Sequence, residues 1–237
     1  IAYWTAWLKA NHPVEFMAAS MSLDIQNTEK LAVFKQEIDR LGIELLPPDV
    51  TRSGADFTVE EGPNGKLAVR YALAALKGVG TQAMENLVAE REQGGQFASM
   101  ADLLGRINVK MMNRRQFEML AGAGAFDSLF DNRAQLYTNA EKLLRHAQAT
   151  AADRETGQES LFGGGGGENA ESSEMPDLPE IKDWNSFDRL RYEFDAVGFY
   201  LSAHPLDSRK DQLERLGFKS YQILAEELAH KPAMTAN

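Results

Sequence analysis

The stretch that most restricts the fold of this chain is Leu73-Ala74-Ala75-Leu76-Lys77-Gly78-Val79-Gly80-Thr81-Gln82-Ala83-Met84-Glu85-Asn86-Leu87-Val88. An apolar run meets a Gly-apolar-Gly step, and a second run follows with Ala83, Met84, Leu87 and Val88 on one side. Two glycines around one apolar residue permit a tight reversal with positive φ, while the residue between them can pin the turn into a core. The pattern predicts two helices joined at Gly78-Val79-Gly80. The amides of Gly78, Val79 and Gly80 would then face outward at a helix N-terminus, where unsatisfied N–H groups and the macrodipole favour an anion. Lys77 and Thr81 flank the turn as further phosphate donors. A Gly-x-Gly step between helices is also an ordinary connection, so the motif alone leaves both readings open.

A second, weaker half strengthens the anion-binding reading. Between Gly105 and Gln116 lie Arg106, Lys110, Arg114 and Arg115 with no acid among them, followed by a helix from Gln116 to Leu120 and the small-residue turn Ala121-Gly122-Ala123-Gly124. The two halves together resemble the helix-hairpin-helix motif, which holds a duplex by its phosphates without reading bases.

Overall charge argues the other way until it is resolved along the chain. The 237 residues carry 25 Lys and Arg against 35 Asp and Glu, a net charge of −10 that would repel a nucleic-acid backbone or an anionic membrane. Residues 1–150 are nearly balanced, with 16 basic and 18 acidic side chains, and residues 196–237 carry 5 of each. Residues 151–195 hold 4 basic and 12 acidic side chains. That segment contains five consecutive glycines, Gly163 to Gly167, then Glu168, Glu171, Glu174, Pro176 and Pro179. Such a composition cannot repay the entropy of ordering, so residues 151–180 are expected to be a flexible acidic linker.

The remaining periodicities predict a mainly α fold with a minor β element. Tyr3, Trp4, Trp7 and Leu8, then Phe16, Met17 and Met21, fall at core-helix spacing across two short helices, the second begun by Pro13. Thr28 is expected to cap a helix with Leu31, Phe34, Ile38 and Leu41 on one face, closed by Gly42. Ile43 to Leu46, stopped by Pro47 and Pro48, reads as a strand. Phe57 to Glu60 and Leu67 to Tyr71 around Gly62-Pro63-Asn64-Gly65 read as a strand pair. Helices are expected at Trp184 to Leu201 and Asp207 to Leu216, with a weak one at Ile223 to Leu228. Cysteine is absent, which excludes disulfides, thiolate zinc sites and cysteine nucleophiles. No run approaches the roughly 18 apolar residues of a membrane span, so a cytoplasmic protein with no membrane partner is expected. The chain opens at Ile1 inside a helical run and ends without a stop signal, and is expected to be part of a longer protein.

Longer strings point to one family. Ala2-Tyr3-Trp4-Thr5-Ala6-Trp7-Leu8-Lys9-Ala10-Asn11-His12-Pro13-Val14-Glu15-Phe16-Met17-Ala18-Ala19 resembles the end of the fingers region of bacterial DNA polymerase III alpha subunits. Leu41-Gly42-Ile43, Leu46-Pro47-Pro48-Asp49-Val50, the glycine hairpin, Gly124-Ala125-Phe126-Asp127 and Val197-Gly198-Phe199-Tyr200-Leu201-Ser202-Ala203-His204-Pro205-Leu206 continue the match in family order. The resemblance implies a division into C-terminal fingers at 1–65, a helix-hairpin-helix duplex-binding region at 66–150, the linker at 151–180, and a helical segment at 181–237 leading towards an oligonucleotide-binding fold. It implies a parent enzyme of DNA-templated DNA synthesis whose palm aspartates hold two magnesium ions. It also implies double-stranded DNA, the sliding clamp and other replicase subunits as partners.

No catalytic residue, metal ligand or cofactor is expected in this segment itself. It contains no Asp-x-Asp, and Asp127 and Asp131 beside Phe126 and Leu129 read as a cap and a surface charge. His12, His146, His204 and His230 are scattered without metal-ligand spacing. Inside the linker, Gln158-Glu159-Ser160-Leu161-Phe162 resembles the clamp-binding pentapeptide of bacterial polymerases. By that analogy Gln158 would hydrogen-bond in one subsite, and Leu161 and Phe162 would fill an apolar one. The alternative is that Leu161 and Phe162 fold back on the helix around Leu136 to Leu144. Three other readings remain open: a structural connector without affinity for DNA or clamp, a segment whose Tyr3 or Lys9 approaches template or nucleotide, and a segment of an error-prone relative of the alpha subunit.

Overall fold

Proline and glycine set several of the element boundaries, and asparagine or serine caps set others. The computed structural model describes residues 1–156 and 175–218. Helix α1 (Ala2–Asn11) stops at His12, and Pro13 starts α2 (Pro13–Leu23) in the first-turn position, where its missing N–H costs nothing. Helix α3 (Thr28–Arg40) is capped by Asn27, whose side chain accepts from the Lys30 amide at 3.1 Å. Thr28, the expected cap, is the first residue inside the helix. Gly42 ends it with φ +68°, as its position requires.

The strands form one small sheet in the order β1-β3-β2. Strand β1 (Leu45–Leu46) pairs parallel with β3 (Leu67–Arg70), and β2 (Thr58–Glu61) pairs antiparallel with β3. Central β3 delivers the chain into the glycine turn. The expected first helix of the hairpin is only one 3₁₀ turn, Leu73–Ala75, buried throughout. Its residues come out of the sheet already buried on all sides, and an extended approach to Gly78 serves better than a long helix. Helix α4 (Thr81–Gly94) follows, then α5 (Met100–Arg106), α6 (Arg114–Gly122), α7 (Arg133–Thr138) and α8 (Ala140–Thr156). Helix α9 (Ser186–Val197) stops short of the expected Leu201, because Gly198 takes the left-handed conformation, φ +99°, that closes a helix.

One core joins these elements. Met17 and Met21 of α2, Leu31 and Ile38 of α3, Met84 of α4, and Phe117 and Leu120 of α6 are essentially inaccessible. Tyr71 lies among them, edge-on to Phe57 at 5.0 Å and to Phe199 at 6.2 Å, so the string after α9 is tied to the sheet. Residues 1–202 form one compact unit, and the expected divisions at 65, 150 and 180 all fall inside it. Residues from Ala203 belong to a second unit. Within it, the His204 amide donates to Asp207 Oδ2 at 2.6 Å ahead of a 3₁₀ turn at Asp207–Arg209 and α10 (Lys210–Arg215). The weak helix expected at Ile223 to Leu228 lies outside the described residues.

Two further sequence expectations need correction. Tyr3 and Trp4 are 71% and 66% exposed, Trp7 and Leu8 are also exposed, and α1 has no buried residue. The apolar spacing is present, but among the described residues that face is covered only in part, as where the Trp7 ring meets that of His12 at 5.7 Å. Both described ends of the expected linker are structured as well. Helix α8 runs to Thr156, and Met175 and Leu178 pack against the core.

From Asp177 to Asp183 the chain is strapped across α7 and α8. Lys142 donates to the Asp177 carbonyl, Gln135 to Pro179 O at 2.9 Å, and Asn132 to Ile181 O at 2.7 Å. Asp183 closes the strap, accepting from the Ala134 amide at 3.1 Å and from Arg189 Nε at 3.0 Å. Burial pushes its carboxyl up, but the Arg189 hydrogen bond and the Ala134 and Trp184 amides outweigh that and hold it below the ordinary 3.8. A depressed carboxyl adds stability above its unfolded value and loses it as pH falls through the folded one. Asp183→Asn should therefore cost about 1–3 kcal/mol at neutral pH. The difference from the parent should shrink as pH falls below 3.8, measured by urea denaturation across that range.

Candidate nucleic acid interface

The glycine turn has the backbone conformation that its sequence demands. Gly78 has φ +70° and Gly80 φ +82°, while Val79 between them is fully buried. A side chain at either glycine would strain the left-handed backbone by about 1–2 kcal/mol, whereas a valine driven inward contributes about 1.5–3 kcal/mol of burial. The Val79 amide turns back to Leu76 O at 3.3 Å, so it does not face outward as expected. The Gly78 and Gly80 amides have no hydrogen-bond partner among the described residues. Helix α4 begins at Gly80 without a side-chain cap, which leaves the orphan donors of its first turn open.

The second half of the motif meets the turn through one side chain. Asn113 and Gln116 form a reciprocal capping box at the start of α6: the Gln116 amide donates to Asn113 Oδ1 at 3.0 Å, and the Asn113 amide to Gln116 Oε1 at 2.7 Å. Nε2 of Gln116 donates to the Val79 carbonyl. One carboxamide thus caps α6 and fastens the glycine turn to it. Gln116 is not among the residues expected at the site, although Asn-x-x-Gln ahead of an apolar helix is the capping-box pattern that points to it.

The sequence-predicted cations divide into two groups. Lys77, Lys110 and Arg115 are exposed, and no acid pairs with them among the described residues. Arg115 borders the turn, its Nε 3.6 Å from where a Cβ would stand on Gly78. Thr81 is exposed at the start of α4, its hydroxyl 3.3 Å from Gln26 Nε2. Arg106 is different. Its side chain is only 14% exposed, pairs with Glu90 at 3.1 Å and Asp102 at 3.2 Å, donates to the Gly95 carbonyl at 2.9 Å, and lies over the Phe97 ring. It joins α4 to α5, spending four hydrogen bonds of its guanidinium on Glu90, Asp102 and Gly95 rather than on a phosphate. Arg114 is exposed but paired with Glu118 at 2.6 Å and Glu141 at 3.4 Å, and the hydrogen bond to Glu118 raises its pKa further.

Other basic side chains serve the fold. Arg91, whose pKa burial lowers, donates to the Val50 and Ser53 carbonyls at 2.8 Å each and pins the loop after Pro48. Arg133 covers Gly124 and pairs with Asp127 at 2.5 Å, which gives Asp127 a structural partner. Among the described residues no cluster of three His, Asp or Glu side chains is arranged to hold a metal, and no helix is long and apolar enough to cross a membrane. Gln158, Leu161 and Phe162, the expected clamp-binding residues, lie outside the described residues.

The arrangement agrees with sequence relationships. A family profile for the helix-hairpin-helix motif matches residues 42–136, which bracket both halves. The DNA polymerase III subunit alpha of Caulobacter vibrioides is 49% identical over 233 residues, 98% of this chain and 19% of the relative. The same subunit from Thermus aquaticus is 41% identical over 208 residues, 87% of this chain and 16% of the relative. That of Neisseria meningitidis serogroup B is 38% identical over 216 residues, 91% and 18%. The chain thus spans less than a fifth of the length of these curated relatives.

Gln116→Glu would keep the capping-box acceptor but set a carboxylate oxygen against the Val79 carbonyl. It should destabilise the chain by about 1–3 kcal/mol in chemical denaturation, whereas Gln82→Glu on the exposed side of α4 should change stability by less than about 0.5 kcal/mol.

Proposed function

By sequence the chain belongs to the bacterial DNA polymerase III alpha subunits, of which it matches one segment, and we propose that this segment holds duplex DNA by its backbone during chromosomal replication. The observation that supports it most is the pair of open amides at Gly78 and Gly80, bordered by Arg115 and Lys77 at the uncapped start of α4. Backbone amides and cations around a helix start accept phosphate oxygens of any sequence, so the contact is sequence-independent. The bonded Val79 amide leaves Gly78, Gly80 and the first turn of α4 as donors. Lys77, Lys110, Arg115 and Thr81 are side-chain donors, and Arg106 is left out of the interface.

The polymerising activity of the parent protein, its magnesium chemistry and its association with other replicase subunits in the cytoplasm belong to this reading as proposals. This segment would contribute grip rather than catalysis. The peptide at Gln158, Leu161 and Phe162 would tether the polymerase to the sliding clamp. Its short length implies modest affinity, and its use would lie in raising the local concentration of polymerase at DNA.

Replacing Lys77, Lys110 and Arg115 by Met should weaken binding to an arbitrary duplex and lower the slope of log affinity against log salt by about 0.9 for each phosphate no longer neutralised. An unchanged slope would place the DNA contacts elsewhere. Leu161→Ala with Phe162→Ala should abolish binding to the sliding clamp in a calorimetric titration while leaving duplex affinity as it was, and retained clamp binding would refute the tether.

A further inference from the structure

Lys77 is an exposed lysine whose position is set by a helix far downstream in sequence. Its backbone amide donates to Ala196 O at 2.8 Å. Its ammonium stands over the Phe194 ring, 5.7 Å from the centroid, within cation–π range. Gly198, the left-handed residue that ends α9, has no room for a side chain. A Cβ there would lie 2.8 Å from Lys77 Cε, 2.9 Å from its Nζ and 2.2 Å from Thr28 Cγ2. The end of α9 therefore meets this one lysine through a carbonyl, an aromatic face and a glycine. Across the same turn Arg115 approaches Gly78 from α6. The glycine turn thus has Arg115 of α6 beside Gly78, and the residue just before Gly78, Lys77, holds its ammonium against the end of α9.

A lysine free in solvent spreads its charge over many rotamers, and ordering them on binding offsets part of the gain. An ammonium lodged against an aromatic face and a glycine has already given up much of that freedom. Resting on the duplex-binding reading above, we propose that Phe194 and Gly198 are positioning residues for Lys77, and that the end of α9 is one wall of the phosphate-binding site. Neither residue carries charge, and both lie beyond the 42–136 span of the helix-hairpin-helix match. The site is therefore composite. The chain must return after α8 and dock α9 before its second cation is in place.

The test is a double-mutant cycle on the 237-residue chain. A duplex of arbitrary sequence is titrated at two salt concentrations against the parent, Lys77→Met, Phe194→Leu and the double variant. Phe194→Leu keeps an apolar contact but removes the ring face, and should weaken binding about threefold, the size of an exposed cation–π contact. In the Lys77→Met background the same change should leave affinity unaltered. Lys77→Met should also reduce the salt slope by about 0.9, and Phe194→Leu by less, because the charge is retained. Equal weakening by Phe194→Leu in both backgrounds would overturn the proposal, as would no weakening where Lys77→Met does weaken binding. If Lys77→Met changes neither affinity nor slope, the reading of the turn as a phosphate site fails, and the positioning role fails with it.

Discussion

The Gln116 carboxamide is the contact on which the two halves of this structure depend. Its oxygen caps α6 through the Asn113 amide, and its nitrogen holds the Val79 carbonyl of the glycine turn. Both functions use the same planar group, so the start of α6 and the turn before α4 cannot move independently. With Val79 buried and Gly78 and Gly80 in left-handed conformations, the amides on either side of Val79 are left open. The core supplies what lies beneath. Phe117 and Phe126, with ring centroids 4.8 Å apart, fill the space under α6, and Met84 anchors α4.

Electrostatics divides along the same line. Many of the arginines are occupied by the fold, because a planar guanidinium with several donors can satisfy a carbonyl and a carboxylate together. Arg70 does this for Pro47 O at 2.7 Å and Glu60 at 2.5 Å, Arg106 does it between α4 and α5, and Arg189 does it across the strap. Arg91 is occupied by two carbonyls of the loop after β1. Lys77, Lys110 and Arg115 are without acidic partners among the described residues. A chain with net charge −10 can thus still expose cations without acidic partners, and what a phosphate meets is the local set of donors rather than the total.

Much of this is legible in the sequence, for identifiable reasons. Glycines and prolines report backbone requirements directly, so Gly42, Gly78, Gly80 and the start of α2 at Pro13 follow from residue type alone, whereas the helix expected through Gly198 to Leu201 stops at that glycine. Side-chain partnership over long range does not. Arg106 reads like its neighbours in a basic run because, apart from Asp102 one turn back on its own helix, its partners Glu90 and the Gly95 carbonyl belong to the preceding helix and loop. Periodicity shows an apolar face on α1 but cannot show that Tyr3 and Trp4 stay exposed among the described residues. The strap is hidden because Met175 and Leu178 are isolated apolar residues in an acidic, proline-containing stretch, and their docking depends on the folded core. Lys77 stands out by its place beside the turn, while the residues that hold it lie beyond the glycine-rich stretch.

If the turn is a phosphate cradle, the Gly78 and Gly80 amides are what a duplex backbone touches. Residue-resolved amide hydrogen exchange of the chain, with and without a short duplex of arbitrary sequence, reads those groups directly. Slowed exchange at Gly78, Gly80 and the first turn of α4, the same for two unrelated sequences, is the predicted result. Protection confined to other segments, with exchange at the turn unchanged by saturating duplex, would contradict it.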